Sequence, residues 1–276
     1  MAASEILDWQ RQMWDCAAPV YAAEVEPRFE AVRQRILEYA SIHQGEHVLD
    51  IGCGAGTLTL ALARAAGEQG SVAALDLSPE MVAIVGKRCN AAQLSNVSWN
   101  VGNSQALPFP DQSLDVVVAS LSLMFSPDKT VAAAEIGRVL RHGGRLIAAV
   151  LAGPKESDLV HLQQILGRHQ PAPPARGMGP GSMANLAQFT QELKRHEVYS
   201  HVECHAFEFP LASADEAWSI FAAGAAHRMT AEQHRAARAE IESVFWPHGA
   251  RPRQFRQMVQ YVLGKKGNDG QNVPSR

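Results

Sequence analysis

Four residues at a two-position spacing, Asp50, Gly52, Gly54 and Gly56, stand inside "HVLDIGCGAGTLTLALARAAG" (47–67), and a further carboxylate, Asp76, lies 20 positions beyond Gly56. Alternate glycines leave a backbone that another group can approach closely. A dinucleotide site would need G-x-G-x-x-G, whose last glycine admits a pyrophosphate to a helix N-terminus. Counted from Gly52 that position is Thr57, so the spacing predicts a ligand without a pyrophosphate. Asp50 is expected beside the cationic portion of this ligand. Asp76 is expected to accept hydrogen bonds from both hydroxyls of a ribose, charge-assisted and therefore comparatively strong. The competing reading of the loop is a tight strand-to-helix connection. Cys53, between two of the glycines, reads as a small residue tolerated in the loop and not as a redox group.

The elements around these residues must place them at one edge of a sheet. "HVLDI" (47–51) is a short apolar run, followed by the glycine loop and a helix-like run that stops at Gly67. "SVAALDL" (71–77) reads as a second strand ending on Asp76, after which Ser78 and Pro79 form an N-cap and first helical position. Further strands are expected at "NVSWNVG" (96–102), 114–120 and 145–151, with a helix at 127–141 between the last two. Strands alternating with helices at this spacing predict a parallel sheet covered on both faces. Residues 8–40 read as helical, ahead of the first strand.

After Leu151 the rhythm changes. A helix is expected over 155–168, a Pro/Gly-rich loop over 169–182, a helix over 185–196 and an alternating strand over 199–210. Capping boxes at Ser213/Glu216 and Thr230/Gln233 predict helices at about 214–228 and 231–246, ahead of a last strand "FRQMVQYVLGKK". The expected organisation is a helical segment 1–46 covering the site, a core 47–152, a second half 153–263 carrying the cap helices, and a loose polar tail 264–276.

Composition narrows the partners. A net charge of −3 without a Lys/Arg-rich run disfavours nucleic acid. No apolar run reaches the ~18–20 residues of a membrane span, and the N-terminal stretch lacks the pattern of a signal peptide. Cys16, Cys53, Cys89 and Cys204 are scattered, with no C-x-x-C, as expected for free thiols in the cytoplasm. The histidines at 161, 169, 196, 201 and 205 show no metal-ligand spacing, so no metal is expected.

The blocks "VLDIGCGAGTLTLALA", "ALDLSPEMV", "VGNSQALPFPDQSLDVVVASLSLMFSPD" and "AEIGRVLRHGGRLIAAV" resemble, in order and spacing, those of class I S-adenosylmethionine-dependent methyltransferases. The likeness is greatest to the branch of ubiquinone/menaquinone biosynthesis C-methyltransferases and related small-molecule enzymes, and it covers about residues 15–152. It implies a Rossmann-like, doubly wound α/β fold: seven mostly parallel strands, an antiparallel last strand and a helical cap inserted before it. It also implies S-adenosylmethionine as cofactor and S-adenosylhomocysteine as product. Asp50, Gly52, Cys53, Gly54 and Gly56 would belong to the cofactor loop and Asp76 would hold the ribose. Leu77 and Met81 would pack on the adenine, Asn103 and Ser104 would lie at its amino edge, and Ser120 beside the reacting centre. Two positions depart from the pattern: Asn103-Ser104 replaces the usual Asp-Ala, and His142 replaces proline in the "RPGG" turn.

Absences shape the acceptor. The Asn/Asp-Pro-Pro-aromatic element of amino-group nucleobase methyltransferases is missing, the chain reading "ASLSL" there. No cysteine matches the cytosine-C5 nucleophile or the arsenite set, and Ser120 and Leu121 stand where metal-dependent catechol enzymes place acidic ligands. What remains is a metal-free in-line displacement onto a small, fairly apolar acceptor: a phenol, a quinol-type carbon or an amine. The expected pocket comprises Tyr21, Leu123, Met124, Phe125, Trp218, Phe221 and His227, with Trp218 and Phe221 alternatively filling core beneath the cap. Tyr21 matches a family tyrosine that reaches cofactor and acceptor. His227 is the candidate proton acceptor, against its reading as a surface histidine. The rival from another class is a non-catalytic cofactor-binding subunit of the same fold; a nicotinamide oxidoreductase fails at Thr57. A monomer or homodimer is expected.

Overall fold

The computed structural model describes residues 3–170, 177–226, 228–249 and 251–267. The chain opens with α1 (Ala3–Val20), a π-helical turn (Tyr21–Val25), the short α2 (Glu26–Arg28) and α3 (Glu30–Ala40). Then follow β1 (His47–Ile51), α4 (Thr57–Ala66), β2 (Ser71–Asp76), α5 (Pro79–Ala91), β3 (Val97–Val101), β4 (Leu114–Ser120), α6 (Lys129–Val139) and β5 (Leu140–Leu151). The second half adds α7 (Asp158–His169), α8 (Ala187–Arg195), β6 (Val198–Leu211), α9 (Ala214–Phe221), α10 (Ala223–Ala226), α11 (Ala231–Phe245) and β7 (Arg253–Lys266).

The seven strands form one sheet in the order β3-β2-β1-β4-β5-β7-β6. β1 pairs in parallel with β2 and β4, and β7 runs antiparallel to both β5 and β6. The central strands carry unbroken apolar runs such as Val116-Val117-Val118-Ala119, buried on both faces because helices cover both sides. Strand order reverses across β1, where β2 lies on one side and β4 on the other. In open α/β sheets ligands bind at such a switch point, beyond the carboxyl ends of the strands.

Ser78 caps α5 by accepting from the Met81 N–H at 3.2 Å, and Pro79 sits at the first helical position as the sequence predicts. The capping box of Thr230 and Gln233 is complete. Two expectations change. The helix foreseen over 214–228 is broken at Ala222 into α9 and α10. β7 runs on to Lys266 and pairs Gly264 with both Leu146 and Ser200, so 264–266 belong to the sheet and not to a loose tail. Residues 268–276 of that tail lie outside the described residues.

The N-terminal segment owes its path to two prolines. Pro19 lies inside α1, and Pro27 has no N–H to give to the Ala22 carbonyl in the π register. The Arg88 guanidinium takes that carbonyl instead, at 3.3 Å. The bend brings Tyr21 and Glu26 over the glycine loop.

Candidate functional site

Beyond the carboxyl ends of β1, β2, β4 and β5 lies a cavity of about 860 Å³. One wall comes from the ends of the strands and their loops: Gly52, Gly54, Asp76, Leu77, Met81, Asn103, Ser104 and Ser120. α1 and the turn after it supply Gln10, Met13, Trp14, Ala17 and Tyr21; the remaining wall holds Leu123, Met124, Phe125, Leu159, Gln163, Ile220 and Phe221. The residues expected at the cofactor and those expected at the acceptor thus line one cavity at these positions.

The glycine loop is built from left-handed backbone, with φ of 65°, 55° and 89° at Gly52, Gly54 and Gly56. The space beside each glycine is filled by the protein itself. A Cβ at Gly52 would lie 2.3 Å from the Ser122 Cβ, at Gly54 2.9 Å from the Tyr21 ring, and at Gly56 2.9 Å from Val85. The loop is thus glycine-rich first because of its backbone conformation and its own neighbours. Only Gly52 and Gly54 line the cavity.

Asp76 is fixed by the same loop. Its Oδ2 accepts from the Gly54 N–H and its Oδ1 from the Ser78 N–H, each at 2.9 Å. Burial raises its carboxyl above the usual range, and the N–H donors of Ser78, Gly54 and Leu77 oppose that rise. Each oxygen keeps a second lone pair, and the side chain faces the cavity.

Four expected positions stand elsewhere. Asp50 is 1% exposed and does not line the cavity; its Oδ2 accepts from the Thr59 hydroxyl at 2.7 Å beneath the loop. Burial pushes its carboxyl up to about 7, with Asp76 and Glu26 adding to the rise and the Thr59 hydroxyl opposing it. Cys53 turns into a buried cluster with Ala74, Val85 and Cys89, where burial holds its thiol far above the ordinary range. Gly56 faces Val85 on the side away from the cavity. Trp218 lies outside the lining, its ring 5.2 Å from His234 and 5.8 Å from the Arg238 guanidinium. α9 turns Phe221 inward, and Trp218, three residues earlier, points to α11. His227 lies outside the described residues.

Tyr21 stands edge-on to Trp14 at 5.9 Å, and Trp14 edge-on to Phe125 at 4.9 Å, so an aromatic chain roofs the cavity. Burial, reinforced by Glu26 and Asp76, pushes the Tyr21 phenol well above its ordinary range. It is a hydrogen-bond donor at neutral pH and no base. Ser104 and Ser126 share a hydrogen bond of 2.6 Å, and the Asn103 Oδ1 accepts from the Gln105 N–H at 3.0 Å. Leu121, at the end of β4, holds φ of +54°, strained for a side chain of its size. Its N–H reaches the Ala149 carbonyl at 2.9 Å, and the next residue's Ser122 hydroxyl reaches the Ile51 carbonyl at 2.6 Å.

Among the described residues, Asp76 and Arg168 are the charged side chains of the lining. Asp50 adds a carboxyl oxygen, Oδ1, that is buried without a hydrogen-bond partner. A nucleoside carrying two ribose hydroxyls fits this end: Asp76 offers paired acceptors, and Leu77 and Met81 an apolar face. Among the described residues no three His, Cys, Asp or Glu side chains are placed to hold a metal ion together. No helix of these residues is long and apolar enough to cross a membrane.

Sequence reasoning laid a helical segment 1–46 over the site but named none of the lining residues of α1, and it missed α7. The signal existed: Leu7, Gln10, Trp14, Ala17 and Tyr21 recur at three- and four-residue intervals, one face of a helix. Nothing local says that this face looks into a cavity.

Comparison with known proteins agrees with the geometry. Residues 48–144 match the family model of a methyltransferase domain. Demethylmenaquinone methyltransferase of Shouchella clausii is 36% identical over 122 residues, 44% of this chain and 52% of that protein. Aklanonic acid methyltransferase DauC of a Streptomyces species is 33% identical over 135 residues, 49% of this chain and 61% of that protein. The chain thus spans about half to three-fifths of the length of these relatives. Among solved structures, the YcgJ protein of Bacillus subtilis superimposes with a TM-score of 0.65 at 19% identity, covering 87% of this chain and 99% of that one. A Bacillus halodurans protein described as a putative methyltransferase gives 0.62 at 18%, covering 86% and 99%. At these identities the likeness is one of fold.

Proposed function

We propose that this chain, whose residues 48–144 match the family model of a methyltransferase domain, transfers a methyl group from S-adenosylmethionine to a small, fairly apolar acceptor. The observation that carries the reading is one continuous cavity with Asp76 and the glycine loop at one side and aromatic and aliphatic walls at the other. The two curated relatives are named for small-molecule acceptors, demethylmenaquinone and aklanonic acid. A phenol, a quinol-type carbon or an amine suits such walls.

In this reading Asp76 receives the ribose hydroxyls, Gly52 and Gly54 bring backbone alongside the methionine portion, and Leu77 and Met81 flank the adenine. Asn103 and Ser104 stand at the adenine edge. When bound, S-adenosylmethionine supplies a methyl group on a sulfonium, open to in-line displacement. The chain's own part is alignment and exclusion of water. Trp14, Tyr21 and Phe125 close the roof, and Tyr21 keeps its proton and orients an oxygen or nitrogen by donating to it. The acceptor loses its proton to solvent before or during entry, so the pocket selects its reactive form.

Calorimetry with S-adenosylmethionine, S-adenosylhomocysteine and NAD tests the cofactor; heat with NAD alone sinks the reading. Incubation with methyl-labelled cofactor and cell extract tests turnover. Binding without any labelled product would favour a non-catalytic cofactor-binding subunit.

A further inference from the structure

The cavity extends well past the span that the glycine loop and Asp76 serve. β2, which ends on Asp76, is three strand spacings from β5, about 14 Å, and α7 follows β5 along that far end. α7 turns Leu159, Gln163 and Gly167 toward the cavity, with Gln164 and Arg168 beside them at the rim.

Gly167 lacks the excuse that other glycines have. It sits in the last turn of α7 without the positive φ that favours glycine, where alanine is the better helix former, and a Cβ built on it meets nothing within 4 Å. Gly52, Gly54 and Gly56 are each filled by a neighbour or require positive φ; Gly167 is neither. Its missing side chain leaves open cavity in front of α7.

Arg168, next in sequence, is held from behind. Its Nη2 donates to the Glu240 Oε1, and the Glu240 Oε2 meets the His169 Nε2 at 2.7 Å. Hydrogen bonds from His169 and Arg168 lower the Glu240 carboxyl, so it is ionised. One carboxylate on α11 is thereby shared between the Arg168 guanidinium and the His169 ring. The Arg168 Nε and Nη1 have no hydrogen-bond partner among the described residues, nor has the Gln164 amide. A guanidinium with a free edge matches the two oxygens of a carboxylate.

We infer that the acceptor is an apolar molecule bearing an anionic group of the carboxylate class, its body lying over Gly167 and its anion received by Arg168 and Gln164. The inference rests on the proposed methyl transfer and names its substrate class. The two charged groups of the lining then sort the two ligands: the cationic nucleoside to Asp76, the anion to Arg168.

The test uses the full chain saturated with S-adenosylhomocysteine, with naphthalene-2-carboxylate and the neutral naphthalene-2-carboxamide as probes. The parent binds the acid at least about tenfold more tightly than the amide, the worth of one charge-assisted hydrogen bond. Arg168→Gln brings the two probes to parity, and Arg168→Lys keeps part of the preference. Gly167→Leu weakens both probes. Arg168 is exposed, so Arg168→Gln folds; an unchanged melting temperature and an unchanged S-adenosylhomocysteine affinity verify this. Equal affinities in the parent, no binding of either probe, or a preference that survives Arg168→Gln overturns the inference. Failure of S-adenosylhomocysteine itself to bind strikes the proposed function instead, so the two failures are told apart.

Discussion

The Glu26 carboxylate accepts a hydrogen bond from the backbone N–H of Thr57 at 3.1 Å, across 31 residues of sequence. Thr57 is the first residue of α4, and its N-cap, Gly56, has no side chain to offer. The helix end where a dinucleotide would place its pyrophosphate therefore already holds an anion. Arg88 completes the arrangement, donating to the Glu26 Oε2 at 2.6 Å, the Ala55 carbonyl at 2.9 Å and the Thr57 hydroxyl at 2.9 Å.

Glu26→Ala removes this cap and leaves Arg88 half-buried without its carboxylate. A loss of about 2–4 kcal/mol in unfolding free energy is expected, by urea titration, with Glu26→Gln losing less because its carbonyl still accepts from Thr57. Unchanged midpoints for both variants would show that the cap carries no stability.

Asp76→Ala should weaken S-adenosylhomocysteine binding by roughly 2–4 kcal/mol in calorimetry, as two charge-assisted hydrogen bonds lose their acceptor. The Gly54 and Ser78 N–H groups lose theirs as well, so the melting temperature should fall with the affinity. Parental affinity in a folded Asp76→Ala protein means the carboxylate does not hold the ribose.

Asp50 carries a pH signature. Its folded value of about 7 lies above the ordinary aspartate range, so the folded state binds the proton more tightly than the unfolded chain. Its stabilising contribution is present below about pH 4 and is lost as pH rises toward 7. The stability of the parent relative to Asp50→Asn should therefore decline across that window and level off above it. Groups not coupled to Asp50 cancel in the difference, and a difference independent of pH refutes the raised value.

Gly167→Ala should raise stability by about 0.5–1 kcal/mol, since a helical backbone gains and nothing is struck. Gly52→Ala should do the reverse, through positive φ and the Ser122 side chain. Thermal melts of the pair decide it, and a destabilised Gly167→Ala would reveal a neighbour in front of α7.

Turnover should follow the acceptor's own ionisation. No histidine lines the cavity among the described residues, and the phenol of Tyr21 is held protonated. Across a series of acceptors the midpoint of the pH–rate profile should then move with the acceptor's pKa. A midpoint fixed across the series points to a base within the protein.

The seven strands were legible because alternation, apolar runs and N-caps are local signals. Ser78-Pro79 and Thr230/Gln233 act as read. Which way a side chain faces inside a loop is not local. Asp50 turns to Thr59 because α4 packs beneath β1, and Cys53 packs beside Val85 and Cys89 because α5 lies against this end of the loop. Trp218 and Phe221 share one helical turn, yet only the packing of α9 against its neighbours chooses which one reaches the cavity. The loop glycines were read as making room for a ligand, whereas Tyr21, Ser122 and Val85 occupy that room. That the cap helices share the core of the second half is likewise not local: the Phe245 and Trp246 rings lie 5.0 and 5.7 Å from the Phe255 ring of β7.

β7 is the last strand in chain order but not at the sheet's edge: it lies between β5 and β6. On the ribosome β6 emerges with no strand to pair with, and β5 keeps an open edge, until 253–266 have been made. The sheet cannot close in the order of its synthesis. A chain interrupted between β6 and β7 would present two bare strand edges at once, the condition under which nascent proteins associate with one another or need a chaperone.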